Sequence, residues 1–263
     1  MRPRSALTLV VLLAAVAAAF PAAAAAKGGG LASIHWEKRV KAAERVVRSR
    51  EGKVSFSLRG GGVKRSRDGT DRYHSASVVK AMLLVAYLKQ NRHRELDHGE
   101  RNLLKIMIRR SDNDAATTVR NIVGNGALEE LADDAGFHCF ATSSSSWGST
   151  EICSRDMALY MKSIEAMLPK RHRDFAMRLL RTIVAKQRWG FAEVTGKNWT
   201  PYFKGGWYDD APGDWRVHQI ALLRGPQGAE LGLAVLTAHQ PSKKYGIETI
   251  RRVANALVGP VVR

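Results

Sequence analysis

The chain has few cysteines, and their positions exclude two kinds of site. Its 263 residues include only two cysteines, Cys139 and Cys153. Neither lies near the N-terminus, which excludes a lipid-modified N-terminal cysteine. His138 adjoins Cys139, but no second pair of ligands with zinc spacing follows, so the sequence predicts no metal site and no other cofactor. If the chain enters an oxidising compartment, we expect Cys139 and Cys153 to pair across a short loop.

Acidic residues are also scarce. The 24 Asp and Glu residues face 42 Lys and Arg residues, which gives a formal net charge of +18. Such a charge keeps a protein soluble and attracts anionic polymers. For an exported protein an anionic polymer of the cell envelope, or a membrane surface, fits better than a nucleic acid. The alternative is a charge that serves solubility alone, because the basic residues are scattered and form no single tract.

The one extended apolar run is N-terminal. Arg2 and Arg4 precede an apolar stretch over 6–20 and an alanine tract over 22–26, the order of a secretory signal peptide. A membrane anchor is the alternative, but the run is short and diluted by alanine. We expect a signal peptide over 1–26, a flexible Gly-rich segment over 27–35, and a domain over 36–263. The mature protein would be secreted or extracytoplasmic, with a net charge near +16.

The sequence has no internal repeat and no long disordered linker. Hydrophobic periodicity predicts helices and strands in separate blocks, which is typical of an α+β fold rather than an alternating α/β fold. The predicted strands cover 53–58 (half-buried), 202–207, 217–223 and 231–238. The predicted helices cover 36–48, 77–90, 100–110, 113–123, 127–135, 154–168, 171–185 and 245–258.

The segment Ser77-Val78-Val79-Lys80 combines a hydroxyl and an amine at the start of an apolar helix. Residues i and i+3 share one helix face, so these two groups can meet. A serine hydroxyl is a poor nucleophile unless a base lies beside it, and burial lowers the pKa of a lysine enough to supply one. The alternative is a helix-capping serine followed by a lysine whose amine reaches solvent.

Further along the chain, two short segments have side chains suited to the same chemistry. Ser111-Asp112-Asn113 lies between two predicted helices. A hydroxyl there can relay a proton, and an amide can bind a substrate amide. The alternative is that these residues simply cap a helix, for which Ser, Asp and Asn are well suited. Lys204-Gly205-Gly206 lies on a predicted strand, where glycine lets a substrate approach the backbone.

Taken in order, these segments resemble the Ser-x-x-Lys, Ser-Asp-Asn and Lys-Thr-Gly motifs of class A β-lactamases and penicillin-binding proteins. The neighbouring sequences SASVVKAMLLVAYL, IMIRRSDNDAATTV, SRDMALYM and YFKGGW are similar to the corresponding elements of that family. The resemblance covers most of the chain, from about residue 36 to 258. It implies an antiparallel sheet flanked by N- and C-terminal helices, together with an all-helical lobe.

The resemblance also implies a role for each matched residue. Ser77 would be acylated, Lys80 would be its base or a proton shuttle, and Ser111 would pass a proton to the leaving nitrogen. Asn113 and Lys204 would bind the amide and the carboxylate of the substrate, with Gly206 letting the substrate lie against the strand. The backbone N–H groups of Ser77 and Trp207 would form the oxyanion hole.

The chain departs from the family pattern at three places. The stretch between Lys80 and Ser111 is shorter than in typical class A enzymes, which would trim the wall of the cleft. Gly205 stands where the family carries Thr or Ser, and the Glu-x-x-Leu-Asn element that activates the deacylating water is missing. Over 143–153 only Glu151 is available as a substitute, or it is a plain surface carboxylate. His218 could be catalytic, although a core or rim histidine is the simpler interpretation. Trp189, Trp207 and Trp215 could line a cleft or simply pack.

Three hypotheses remain open from the sequence. The chain is a hydrolase of β-lactams or related acyl compounds, a peptidase acting on D-Ala-D-Ala cell-wall peptides, or a binding module that retains part of the site. We expect it to act as a monomer. The serine, lysine and asparagine argue against the binding module, and the missing glutamate argues against efficient lactam hydrolysis.

Overall fold

The computed structural model describes residues 29–262, so the predicted signal peptide lies outside the described residues. A five-stranded antiparallel sheet lies at its centre, in the order β2-β1-β7-β6-β5. Its strands are β1 Lys53–Gly60, β2 Val63–Arg67, β5 Thr200–Ala211, β6 Asp214–Arg224 and β7 Glu230–Gln240. The short strands β3 Tyr73–His74 and β4 Glu151–Ile152 form a separate pair.

Helices cover both faces of the sheet. On one face α9 packs against β6 and β7 and is joined by α2, whereas α6 packs against β7 and β1 on the other. Helices α3, α4 and α5 pack on one another as a separate lobe. The helices are α1 Gly29–Ala32, α2 Trp36–Arg48, α3 Lys80–Gln90, α4 His98–Arg109, α5 Asn113–Asp134, α6 Ser154–Met167, α7 Arg173–Arg181, α8 Phe191–Val194 and α9 Lys243–Val262.

This architecture confirms the predicted α+β fold. The antiparallel sheet carries N- and C-terminal helices on one side, and the helical lobe stands beside it. In the segment predicted as flexible, residues 29–32 form α1, and its Leu31 is buried. None of the helices formed by residues 29–262 is long and apolar enough to cross a membrane.

The first two strands differ from the prediction. Strand β1 is buried on both faces from Val54 to Leu58, not half-buried, because α6 covers the face that bears Ser57. Its polar residues Ser55 and Ser57 are buried as well, and the Ser57 hydroxyl lies 3.0 Å from that of Ser154 on α6. Strand β2 lies outside the predicted strands. Its polar sequence VKRSR carries no apolar alternation, but it suits an exposed sheet edge.

Two helices differ from the prediction in extent. The two short helices expected over 113–123 and 127–135 form the single element α5, broken at Gly124, whose φ of 75° is non-helical. Glycine adopts a positive φ without a steric penalty, and the break lies between the two predicted helices. Helix α7 is shorter than the predicted helix over 171–185, with 3₁₀ turns before and after it.

Cys139 and Cys153 form a disulfide, with their Cα atoms 5.7 Å apart. The bond closes the loop between α5 and α6, which contains the serine-rich segment and Trp147. The buried Asp156 carboxylate accepts hydrogen bonds from the backbone N–H groups of His138 and Cys139, at 2.7 and 2.8 Å. Both ends of this loop are therefore fixed to the start of α6.

Candidate active site

Ser77 lies in a 3₁₀ turn, Ala76–Val79, which leads directly into α3. In a 3₁₀ turn residues i and i+3 eclipse each other, so Ser77 and Lys80 project from the same side. The sequence predicted an α-helix from Ser77, and the tighter turn brings the two residues into closer alignment. Ala76 has a φ of 44°, which is uncommon for a residue other than glycine and marks local backbone strain beside Ser77.

Lys80 is fully buried, and its amine is held by the segment that follows α4. Its Nζ donates to the backbone oxygen of Ser111 and to Oδ1 of Asn113, both at 2.7 Å, and lies 3.4 Å from the Ser111 hydroxyl. Burial lowers the pKa of Lys80 to about 7, which a contribution from Asp112 partly opposes. A neutral amine has two N–H donors, so with both engaged its lone pair stays available to accept a proton.

Lys204 approaches Ser111 from the opposite side. Its Nζ donates to the Ser111 hydroxyl at 2.9 Å and to the Gly205 carbonyl at 2.7 Å. Complete burial, followed by the nearby Lys80 amine, holds the pKa of Lys204 well below its usual value. Ser111 itself has a φ of 61°, a second strained position. One hydroxyl thus connects two buried amines, an arrangement suited to proton relay.

The two glycines of the third motif pack on opposite sides of β5. A Cβ added at Gly206 would lie 2.8 Å from the backbone nitrogens of Ser77 and Val78. A Cβ at Gly205 would instead lie 2.8 Å from the Trp189 ring. The missing Thr or Ser at position 205 therefore has a physical cause, because the buried indole of Trp189 takes that space.

We expect Gly206→Ala to lower the rate of any acylation at Ser77 by about 10²-fold. The added methyl must push β5 away from the serine turn, and displacements near 1 Å in a reacting site have effects of about this size. The measurement is the rate of covalent labelling by a fluorescent penicillin. Gly126→Ala is the matched control, since nothing lies within 4 Å of a Cβ there. Equal rates for wild type and Gly206→Ala would contradict this role of the glycine.

A cavity of about 510 Å³ opens beside Ser77. Of the predicted substrate-binding residues, Asn113 and Trp207 line it, whereas Lys204 and Gly206 do not. The predicted catalytic residues Lys80 and Ser111 are also absent from the lining. Trp207 is fixed by Trp189, at 6.4 Å between ring centroids, and by the Lys243 amine, 3.7 Å from its ring. The lining comprises His74, Ala76, Ser77, Asn113, Ser146, Trp147, Gly148, Ser149, Trp207, Tyr208, Asp210 and Arg216.

The two residues of uncertain role lie outside this cavity. Glu151 pairs with Arg72 and lines a neighbouring hollow. His218 is fully buried, and its Nδ1 accepts from the Thr237 N–H, so its Nε2 is the nitrogen that donates to the His74 carbonyl. Burial lowers the pKa of His218 to about 4. Both ring nitrogens are satisfied, as in a structural core histidine.

The structure also shows a residue that the motifs did not single out. Trp147, on the disulfide-closed loop, places its ring centroid 4.5 Å from Lys80 Nζ.

The carboxylate among the residues lining the cavity belongs to Asp210, and it is bound to Arg216. Within residues 29–262, the side chains close enough to share a metal ion are Cys139, Cys153 and Asp156, and the two sulfurs are already bonded to each other.

Comparison with known proteins identifies the family. The sequence profile described as the β-lactamase enzyme family matches residues 99–260, more than half of the chain. The chain belongs to the β-lactamase enzyme family. The match to this β-lactamase family includes Ser111, Asn113 and Lys204, and it begins after Ser77 and Lys80. A comparison with curated protein sequences finds no match.

Solved structures from the β-lactamase family share this fold at low sequence identity. A β-lactamase from Chitinophaga pinensis is 16% identical, with a TM-score of 0.72 over 83% of this chain and 97% of that one. A class A β-lactamase from Mycobacterium abscessus is 15% identical, with a TM-score of 0.71 over 84% and 98%. A PBP-A variant, in an acyl-enzyme complex with penicillin G, is 19% identical, with a TM-score of 0.69 over 84% and 94%.

Proposed function

We propose that this protein is a serine hydrolase that forms an acyl-enzyme at Ser77 with β-lactams or related amides. The observation that carries the proposal is the pair of buried lysines, Lys80 and Lys204, that meet at the Ser111 hydroxyl. Burial lowers the pKa of Lys80 to about 7, and this lysine is aligned with Ser77 on one turn and hydrogen-bonded to Asn113. A lysine of ordinary pKa could not act as a base at neutral pH, and burial removes that obstacle.

The proposed reaction follows from these contacts. The Ser77 oxygen adds to the carbonyl carbon of the substrate while its proton moves to the lone pair of Lys80. The carbon–nitrogen bond then breaks, and the Ser111 hydroxyl gives its proton to the leaving nitrogen and is reprotonated by Lys80, which lies 3.4 Å from it. The products are an ester on Ser77 and a free amine, with both lysines returned to their starting protonation.

A second candidate is favoured by the groups that line the cavity. Hydrolysis of the ester needs a base that activates water. Glu151 is paired with Arg72 outside the cavity, and Asp210 is paired with Arg216. This distribution supports a long-lived acyl-enzyme, as in a penicillin-binding enzyme that acts on D-Ala-D-Ala cell-wall peptides, rather than rapid hydrolysis of lactams.

We also propose that the protein works outside the cytoplasm. The N-terminal sequence pattern and the Cys139–Cys153 disulfide support this location, since disulfides persist mainly in oxidising compartments. The net charge of +18 suits a cell-envelope environment rich in anionic polymers.

Incubation of the wild-type protein with benzylpenicillin is expected to add the mass of one intact penicillin. The adduct should persist for many minutes after free penicillin is removed, because the carboxylate among the described residues that line the cavity, that of Asp210, is bound to Arg216. Intact-protein mass spectrometry over time measures both steps. Absence of an adduct would contradict acylation, whereas loss of the adduct within seconds would favour a true β-lactamase and require another deacylating base.

A further inference from the structure

We propose that Trp147 is a positioning residue that shields Lys80 and the acylated serine from water, and so determines that the acyl group on Ser77 is retained. This inference rests on the proposed acylation of Ser77 and deepens it, because it assigns the slow release to a particular side chain. This chain lacks the glutamate that activates water in the family pattern, and the Trp147 indole lies beside Lys80.

The position of the indole carries the proposal. Its ring covers Lys80 Nζ at 4.5 Å, and Trp147 also lines the Ser77 cavity. Its Nε1 donates to the Thr117 hydroxyl on α5 at 3.2 Å, so the ring spans from its own loop to the helical lobe. On the side of Lys80 that it covers, the indole itself offers a hydrolytic water no hydrogen-bond donor, because its single N–H is already engaged on α5.

The loop holds Trp147 in this position through several independent contacts. The disulfide fixes its two ends, and the backbones of Ala141 and Glu151 pair across it. The Ser75 N–H donates to the Thr150 carbonyl at 2.8 Å, which ties the loop to the segment just before Ser77. The indole therefore keeps its place relative to both Ser77 and Lys80.

Hydrolysis of the ester would require a water beside a base. That water would add to the ester carbon, lose a proton to the base, and release the Ser77 hydroxyl. The charged groups near Lys80 are Asp112 and Lys204. Asp112 is engaged as the N-cap of α5, accepting from the Ala115 N–H at 2.9 Å, and Lys204 is bound to Ser111. Lys80 is thus the available base, and Trp147 covers it.

The experiment compares Trp147→Ala and Trp147→Phe with the wild type. In Trp147→Ala, water reaches the amine and the ester, so the penicilloyl adduct should be lost about tenfold faster or more. Trp147→Phe keeps an apolar ring and should retain most of the long lifetime. Trp199→Ala is the matched control, a similarly half-buried tryptophan remote from Ser77, and it should leave the lifetime unchanged.

A second measurement does not depend on acylation. The pKa of Lys80 in the free protein can be followed through the NMR shift of its ¹³Cε, assigned with Lys80→Arg. Removing the ring loses its cation–π contact with the amine but admits water, which favours the charged form more strongly at this buried site, so Trp147→Ala should raise this pKa. If Trp147→Ala fails to fold, Trp147→Gln should show the same shift and the same shorter lifetime.

These outcomes separate the two proposals. The role of Trp147 would be overturned if the Trp147→Ala or Trp147→Gln variant had the same adduct lifetime and the same lysine pKa as the wild type. Acylation of Ser77 would then still stand. If the wild type forms no adduct, the proposed function fails, and the lysine titration still decides whether Trp147 shields Lys80.

Discussion

Replacing Ser77 with alanine is expected to abolish the covalent penicillin adduct. Ser77 supplies the oxygen that forms the ester, so its removal leaves no nucleophile on the 3₁₀ turn beside Lys80. The hydroxyls of Ser75 and Ser111 do not substitute, because both are engaged in hydrogen bonds with neighbouring groups. The expected result is a complete loss of label at every incubation time.

The control for this prediction is Ser145→Ala, which removes an exposed hydroxyl on the loop that carries Trp147. It should label at the wild-type rate. Digestion of the labelled wild type should place the adduct on the peptide that contains Ser77. A Ser77→Ala protein that takes up label with wild-type stoichiometry would disprove the assignment of the nucleophile.

Replacing Lys80 with methionine is expected to slow acylation by about 10³-fold, within the range that a positioned general base contributes. In the wild type the rate should follow the neutral form of the lysine, whose pKa burial lowers to about 7. Acylation should therefore rise with pH below neutrality and level off above it. This rising limb should disappear in Lys80→Met.

A matched control comes from the same helix. Lys89→Met makes the same change at a lysine near the end of α3 that pairs with Asp134 at 2.6 Å near the surface. It should keep both the wild-type rate and the wild-type pH profile. Unfolding should not explain the loss in Lys80→Met, because methionine avoids burying an amine and fills similar space. Persistence of the pH-dependent limb in Lys80→Met would show that another group is the base.

Much of the candidate site was predictable because its residues lie in short sequence motifs. Ser77 and Lys80 are three residues apart, and local helical geometry alone brings such residues together. Ser111 and Lys204 were predicted from the order of the motifs along the chain. Their hydrogen bond, which joins the segment between α4 and α5 to β5, depends on the tertiary fold and is a structural finding.

Trp147 could not be predicted from the sequence as a neighbour of Lys80. It lies in a serine-rich segment without periodicity, and its position depends on the path of a loop fixed by a disulfide. The reason why Gly205 replaces the Thr or Ser of the family pattern could not be predicted from the sequence either. Trp189 is distant in sequence and meets Gly205 only because the segment before α8 packs against β5.

The missed strand β2 has a different explanation. The sequence VKRSR lacks the apolar alternation that predicts a strand, and the strand forms because the β1 edge offers hydrogen-bonding partners. Conversely, the alternation of Ser55 and Ser57 with Val54 and Phe56 predicts that β1 has one buried and one exposed face. Burial of those serines follows from α6, whose Ser154 gives the Ser57 hydroxyl a partner.

The single hydroxyl of Ser111 between Lys80 and Lys204 has a thermodynamic consequence for ligand binding. Burial opposes a charge on each amine, and a charge on Lys80 further disfavours a charge on Lys204. A ligand carboxylate near Lys204 would offset that penalty and favour the uptake of a proton from solvent. Association with anionic substrates is then coupled to proton uptake, and their affinity falls as the solution becomes more alkaline.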